Sequence, residues 1–98
     1  LEQAPMKTAA EGLATGVGYE FTQSILIDLL DDFILVSESE LQNAMVMNLE
    51  KTHNLTEHAG SAALAAALKI KDELRNKKVA LVMSGGNVSI PQLLAALT

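Results

Sequence analysis

Two short apolar runs interrupt a chain whose hydrophobic residues otherwise follow a helical rhythm. Residues 33–36 and 79–83 are wholly apolar and partly β-branched, and polar residues or glycines follow each run. Runs of this kind are typical of strands that are buried on both faces of a parallel sheet. The pattern therefore predicts two parallel strands, joined by a right-handed crossover through helices.

The first long helix is predicted at residues 20–30, where apolar side chains recur at intervals of three and four. Asp31 and Asp32 close this helix and are expected to lie in a solvated turn. Upstream, the glycines among residues 1–18 favour a short helical turn that is followed by a loop.

A second helix is predicted at residues 38–52, directly after the first strand. Ser37 and Glu40 have the spacing of a capping box, in which each side chain accepts a hydrogen bond from the other residue's backbone N–H. Asn48 is polar and does not belong to the apolar positions of this helix, so it is expected on the outer face. The apolar positions expected in the core, here and in the second strand, are Leu41, Met45, Met47, Leu49 and Met83.

The third predicted helix, residues 57–74, is distinguished by its small side chains. Its centre, residues 59–67, consists of alanine, glycine and serine apart from one leucine. It must therefore lie very close to a sheet or to another helix, and Asn76 is its expected stop. A fourth helix is predicted after Ser89, with Pro91 in its first turn.

Composition narrows the class of protein. The 98 residues are 49% hydrophobic, which suits at most one domain with its own core. Seven basic and 12 acidic residues give a net charge of −5, which argues against a nucleic-acid partner. The sequence has no cysteine, so disulfides and thiolate metal sites are excluded, and a cytoplasmic location fits. No apolar run approaches the roughly 18 residues of a membrane span, so no membrane partner is expected.

The loop after the second predicted strand has the most site-like chemistry in the sequence. Ser84 and Asn87 place a hydroxyl and an amide at the carboxyl end of a strand, where α/β proteins bind ligands. Gly85 and Gly86 allow the backbone to approach another group closely. The same four residues are also typical of a tight strand-to-helix turn, and both interpretations stand at this point.

Other polar residues give weaker indications. Glu57 opens the small-residue helix, and its carboxylate is either a solvated charge at a helix N-terminus or a group aimed at a site. His53 and His58 lack the spacing of a metal site and are expected to be surface or capping residues. No serine and histidine can be argued to meet, so no set of nucleophile, base and acid is predicted.

Four short blocks of sequence carry a family resemblance when they are taken in order. They are residues 8–14 (TAAEGLA), 30–38 (LDDFILVSE), 57–65 (EHAGSAALA) and 82–87 (VMSGGN). Together they resemble the carboxy-terminal part of the catalytic domain of the serine/threonine dehydratases. These enzymes, which include threonine ammonia-lyase and serine racemase, use pyridoxal phosphate (PLP) and have a tryptophan-synthase-β-like fold. Glu11 and His58 depart from the aspartate and proline of the family pattern.

The resemblance implies a fold and an activity. The fold would be α/β, a fragment of an open parallel sheet with helices packed on it, and residues 1–98 would form a single partial domain. The parent would be a PLP-dependent lyase that deaminates a hydroxy amino acid to a 2-oxo acid, in a cytoplasmic homo-oligomer.

The resemblance also implies roles for five residues, all of them in cofactor binding and none in catalysis. Ser84 would bond the pyridine nitrogen of PLP, and a neutral hydroxyl there makes the ring a weaker electron sink than an aspartate would. The other family contacts would be Gly12, Glu57, Gly85 and Asn87. The family's Schiff-base lysine and Gly-rich phosphate loop have no counterpart in this sequence, so the chain alone is expected to be inactive.

Two non-catalytic hypotheses remain beside the lyase. One is a small α/β module that associates with itself or with a partner protein through its sheet edge and alanine-rich face. The other is an anion-binding module that uses the turn at Gly85 and Gly86 and the N-terminus of the following helix.

Overall fold

The computed structural model describes residues 3–98 as a helical chain with long irregular connections. Its elements, in order, are a 3-10 turn at Glu11–Leu13, α1 at Glu20–Leu29, α2 at Glu38–Thr52, a 3-10 turn at Ala59–Ser61, α3 at Ala62–Lys69 and α4 at Ile90–Leu97. The early helical turn and the first, second and fourth helices were predicted from the sequence and are confirmed. Asp31 and Asp32 are exposed after α1, as predicted.

Local hydrogen bonds explain where α2 begins and ends. The Ser37 hydroxyl oxygen accepts from the backbone N–H of Glu40 at 3.2 Å, and Glu40 Oε2 accepts from the backbone N–H of Ser37 at 2.7 Å. The predicted capping box is therefore confirmed. At the other end His53 has a left-handed backbone (φ 57°) and donates its N–H to the carbonyl of Leu49. His53 is thus a capping residue.

The third helix is shorter than predicted at both ends. A 3-10 turn precedes α3, and after Lys69 the backbone continues as turns in which N–H groups bond three residues back, such as Leu74 to Lys71 and Lys77 to Leu74. Asn76 adopts a left-handed backbone (φ 64°), which ends these turns. The prediction of one continuous helix over residues 57–74 is wrong because periodicity does not distinguish α from 3-10 bonding.

Neither predicted strand forms within residues 3–98. Residues 33–36 and 79–83 have no ladder partner, and the only β-bridge in this part of the chain joins Gln3 and Val17. Phe33 and Val82 are 72% and 74% exposed. The prediction of a two-stranded parallel crossover is therefore not met here, because a strand needs hydrogen bonds from a neighbouring strand that these two runs do not give each other.

The core is small and lies where α2 meets α3 and the turn that precedes it. Its fully buried apolar residues are Ala10, Leu41, Ala44, Met45 and Ala65, with Val36, Ala59, Ala62 and Leu64 partly buried around them. The small side chains of α3 allow a close approach to α2, as predicted. Two core assignments are wrong: Met83 is 45% exposed, and Asn48, predicted on the outer face, is buried.

The flat shape of the chain explains why few side chains are buried. The chain measures 37 × 36 × 18 Å and has a radius of gyration of 14.4 Å, against about 12.6 Å for a compact domain of this length. Its smallest dimension is about half of the other two, and apolar residues on α1 such as Phe21 and Ile27 are exposed. No helix among residues 3–98 is long and apolar enough to cross a bilayer.

Candidate functional site

Two loops, residues 55–60 and 84–87, contact each other through glycine backbones. A Cβ on Gly60 would overlap the carbonyl oxygen of Gly85 and lie 3.0 Å from its nitrogen. A Cβ on Gly86 would come within 2.5 Å of the carbonyl oxygen of Leu55. No glycine in the described part of the chain has a positive φ. These glycines are therefore required by the close approach of two backbones and not by an unusual dihedral angle.

Glu57 joins the same two loops. Its backbone N–H donates to the carbonyl oxygen of Gly85 across 3.1 Å. Its carboxylate also lies against this residue, because a Cβ on Gly85 would meet Glu57 Oε1. The side chain is half-buried. The structure therefore places this carboxylate beside the backbone that carries the Ser84 hydroxyl.

Gly12 is connected to the site by a contact with Ala59. A Cβ on Gly12 would lie 3.1 Å from the Ala59 Cβ, so these two loops are also in contact. The backbone N–H of Ala9 donates to Glu38 Oε2 at 3.1 Å, which fixes the loop around Gly12 to the start of α2. Val36 packs against the same core as Ala59. All four blocks singled out in the sequence thus lie side by side.

Ser84 and Asn87 are both exposed at the edge of this assembly. Ser84 is next to Gly85 in the chain, and its hydroxyl makes no hydrogen bond to residues 3–98, so it is free to bond a ligand. No hydrogen bond joins the Asn87 side chain to the other candidates in the same range. The structure therefore brings Gly12, Glu57, Gly85 and Ser84 into one neighbourhood and leaves Asn87 at its border.

A buried polar network behind Glu57 was not predicted. Asn48 Nδ2 donates to Thr56 Oγ1 at 3.0 Å, Thr56 Oγ1 is 2.6 Å from Ser61 Oγ, and Ser61 Oγ donates to the carbonyl oxygen of Glu57 at 2.9 Å. The outward assignment of Asn48 is wrong because its side-chain amide finds a hydrogen-bond partner in Thr56, and buried polar groups are found where such partners exist. One signal pointed to this position: residue 48 lies seven residues after Leu41, on the same helical face.

Glu40 of α2 and Lys69 of α3 form an ion pair. A hydrogen bond from the Ser37 backbone N–H holds the pKa of Glu40 below its ordinary value of 4.5, and Lys69 lowers it further. Lys69 Nζ lies 3.4 Å from Glu40 Oε2 and donates to the carbonyl oxygen of Leu35 at 2.8 Å. This lysine therefore ties the apolar run 33–36 to α2. Residues 3–98 contain no group of three or more side chains that could hold a metal ion. His58, expected at the surface or in a cap, is buried and occupies the N-cap position of the 3-10 turn at Ala59–Ser61.

An apolar cleft is lined by residues of α2, α3 and the run 79–83, including Asn48 but none of the five candidate site residues. Its volume is about 260 Å³, and its walls include Met47, Lys51, Leu64, Leu81, Val82 and Met83. Few polar groups face it, whereas a small-molecule site needs polar groups that fix the orientation of the ligand. The geometry at Gly85 is therefore the better candidate for a site.

These residues fit one end of an aromatic cofactor. A free hydroxyl and a carboxylate lie on neighbouring loops, and the loops meet through glycines that leave no side chain between them. A ring nitrogen needs one such hydrogen-bonding partner, and the adjacent backbone offers a flat wall. The five candidate residues include no basic side chain for the charged phosphate of PLP, so the ring end is the part of the cofactor that they fit.

The fold defines the class of protein. The structure is similar to threonine deaminase from T.th., with a TM-score of 0.81 and 34% identity over 91% of this chain and 32% of that one. It is also similar to serine racemase from Dictyostelium discoideum, with a TM-score of 0.76 and 38% identity over 86% and 28% of the two chains. These likenesses confirm the predicted fold class, although the sheet itself is not formed within the described residues.

The sequence places the chain within that class. A family model described as "Pyridoxal-phosphate dependent enzyme" matches residues 1–85, and the chain belongs to this family. It is 34% identical over 88 residues to the catabolic L-threonine dehydratase TdcB of Escherichia coli K12, covering 88% of this chain and 27% of that enzyme. The chain thus spans about a quarter of the length of this relative. The predicted family and cofactor are confirmed, and these likenesses do not favour a stand-alone module or an anion-binding one.

Proposed function

We propose that this chain forms the ring end of the cofactor site in a PLP-dependent ammonia-lyase that acts on a hydroxy amino acid. The observation that carries the proposal is the contact of Glu57 with Gly85, beside the free hydroxyl of Ser84. Similarity to proteins named threonine dehydratase, threonine deaminase and serine racemase supports threonine or serine as the substrate. The net reaction converts the hydroxy amino acid to a 2-oxo acid and ammonia.

The proposed roles follow from the chemistry of each residue. PLP, when bound, supplies the electron sink that allows a proton to leave the α-carbon and the hydroxyl to leave the β-carbon. Ser84 would bond the ring nitrogen through a neutral hydroxyl, which would orient the ring without placing a full charge beside it. Glu57 would lie at the same end of the cofactor, and the backbones of Gly12 and Gly85 would form a wall of the site there. Asn87, at the border of the site, would be a further cofactor contact.

The proposal extends to the whole protein. Residues 1–98 would be a single partial domain, the carboxy-terminal portion of a catalytic domain, because they span 27–32% of the similar chains. The protein would be cytoplasmic and homo-oligomeric. The large apolar side chains that α1 exposes, with Phe21 77% and Leu29 74% accessible, would be covered in the whole protein by its remaining residues or by a second copy.

The test uses the protein expressed from the whole reading frame that contains these residues. Release of 2-oxo acid from threonine and serine is measured for the wild type, for Ser84→Ala and for Ser24→Ala, which removes an exposed hydroxyl on α1. We expect Ser84→Ala to lower kcat/KM by about tenfold or more, the effect of one lost ligand hydrogen bond. Ser24→Ala should match the wild type. A PLP-loaded wild type that forms no 2-oxo acid from either substrate contradicts the proposal.

A further inference from the structure

We infer that Asn48, Thr56 and Ser61, the buried polar network, are positioning residues that hold Glu57 against Gly85. The inference rests on the proposed function, since it assigns a purpose to the position of Glu57. All three side chains are buried, with 4%, 3% and 0% of their surface exposed. Replacing hydrogen-bonded polar groups in an interior by apolar groups of the same shape can be nearly neutral for stability, so stability alone does not account for three such groups.

The donor and the acceptor of each hydrogen bond in the network can be assigned. A carbonyl oxygen cannot donate, so the Ser61 hydroxyl must donate its only proton to the carbonyl oxygen of Glu57. The Thr56 hydroxyl must therefore donate to Ser61 Oγ, and it is left to accept from Asn48 Nδ2. Every donor points toward Glu57. Within residues 3–98 no fully buried side-chain nitrogen or oxygen lacks a partner.

Glu57 is consequently held from both sides of its backbone. Its carbonyl oxygen accepts from Ser61, and its N–H donates to Gly85. The amide and the carbonyl of one residue fix the direction in which its side chain leaves the backbone. Asn48 belongs to α2, the longest helix described, so the network transmits the position of α2 to the carboxylate at the site. A network of fully satisfied buried groups is well suited to such precise placement.

The direction of the network makes the inference testable with conservative variants. Thr56→Val keeps the shape and removes the hydroxyl, whereas Thr56→Ser keeps the hydroxyl. Asn48→Asp keeps the size but replaces the donor by an acceptor, which draws the Thr56 proton away from Ser61. Ser61→Ala removes only the last hydroxyl, and its small side chain suits the turn if Thr56→Val does not fold. Thr52→Val is the matched control, because Thr52 donates to the backbone of Asn48 outside the network.

The measurement is amide hydrogen exchange of Glu57 in the protein expressed from its whole reading frame. We expect exchange to accelerate by about tenfold or more in Thr56→Val, Asn48→Asp and Ser61→Ala, because opening of the bond to Gly85 becomes easier. Amides in the centre of α2 should be unchanged, and Thr56→Ser and Thr52→Val should match the wild type. Unchanged exchange at Glu57, or an equal acceleration throughout α2, overturns the inference.

A second readout connects the network to the cofactor. The visible absorption maximum of bound PLP should move in Thr56→Val in the same direction as in Glu57→Gln, and Thr56→Ser should restore it. A maximum that moves in Glu57→Gln but not in Thr56→Val overturns the positioning role. If no variant and no wild type binds PLP, the proposed function fails, and the exchange rates alone decide whether the network holds Glu57.

Discussion

Gly60 lies so close to Gly85 that a Cβ on Gly60 would overlap the carbonyl oxygen of Gly85. One of these glycines belongs to a run of small residues and the other to the loop after an apolar run, 25 positions later in the sequence. Their contact allows the Glu57 N–H to reach the Gly85 carbonyl at 3.1 Å. The candidate site thus depends on a fit between two backbones.

Gly60→Ala should destabilise the protein by about 1–3 kcal/mol, because the new methyl group meets backbone atoms that cannot rotate away. The matched change Gly12→Ala should cost less than about 1 kcal/mol, since its methyl group meets the Ala59 Cβ at 3.1 Å and a small shift relieves the contact. Urea unfolding with an unchanged m-value measures both. Equal losses of stability would show that the close approach at Gly60 is not a constraint.

Gly85→Ala should weaken cofactor binding while leaving the stability of the fold almost unchanged. Its methyl group meets Glu57 Oε1, the end of a flexible side chain that can move, so we expect a loss of stability below about 1 kcal/mol. The displaced carboxylate should nevertheless weaken PLP binding, as measured by absorbance titration of the protein from the whole reading frame.

The control for Gly85→Ala is a double-mutant cycle with Glu57→Ala. Once the carboxylate is removed, the added methyl group has nothing to displace, so the effect of Gly85→Ala on PLP affinity should largely disappear. Additive effects of the two changes would contradict a direct contact between these residues.

Local signals in the sequence were sufficient to predict most of the helices. Ser37 and Glu40 mark the start of α2 through hydrogen bonds that span only three residues. Ser89 and Pro91 mark α4 in the same way, and a second capping box forms there between Ser89 and Gln92. Such contacts are fixed by the sequence of one turn, and therefore do not depend on the rest of the fold.

The predictions that failed concern features that depend on contacts between separate parts of the chain. The apolar runs indicated strands, but strand formation depends on partners that the described residues do not supply. The small residues around Gly60 indicated a close approach, and periodicity could not identify Gly85 as the partner. Asn48 was assigned to the outer face because it is polar, whereas its burial depends on a hydrogen bond to Thr56, eight residues further along.

Ser37→Ala should lower the free energy of unfolding by about 1 kcal/mol, because the Glu40 backbone N–H loses its acceptor at the N-terminus of α2. Ser37→Thr should keep most of the stability, since threonine also caps helices. Ser39→Ala is the matched control, as its hydroxyl contacts Ser37 Oγ but accepts no helix N–H. Thermal or urea unfolding distinguishes them, and an equal loss in both alanine variants would count against the cap.

Glu40 should make stability depend on pH. Its pKa in the folded protein is lowered, first by the Ser37 N–H and then by Lys69, so the ionised form is favoured by folding. The sign follows from linkage: this contribution to stability is complete above the ordinary value of 4.5 and is lost as pH falls through the lower folded pKa.

Glu40→Gln keeps an oxygen for the Ser37 N–H but removes the charge. The variant should therefore be less stable than the wild type at pH 7, and the difference should shrink as the solution is acidified below about pH 4.5. Urea unfolding between pH 7 and pH 3 measures this. Glu50→Gln, which removes an exposed carboxylate of α2 that makes no hydrogen bond within residues 3–98, controls for net charge, and a similar pH response in both variants would refute a specific role for Glu40.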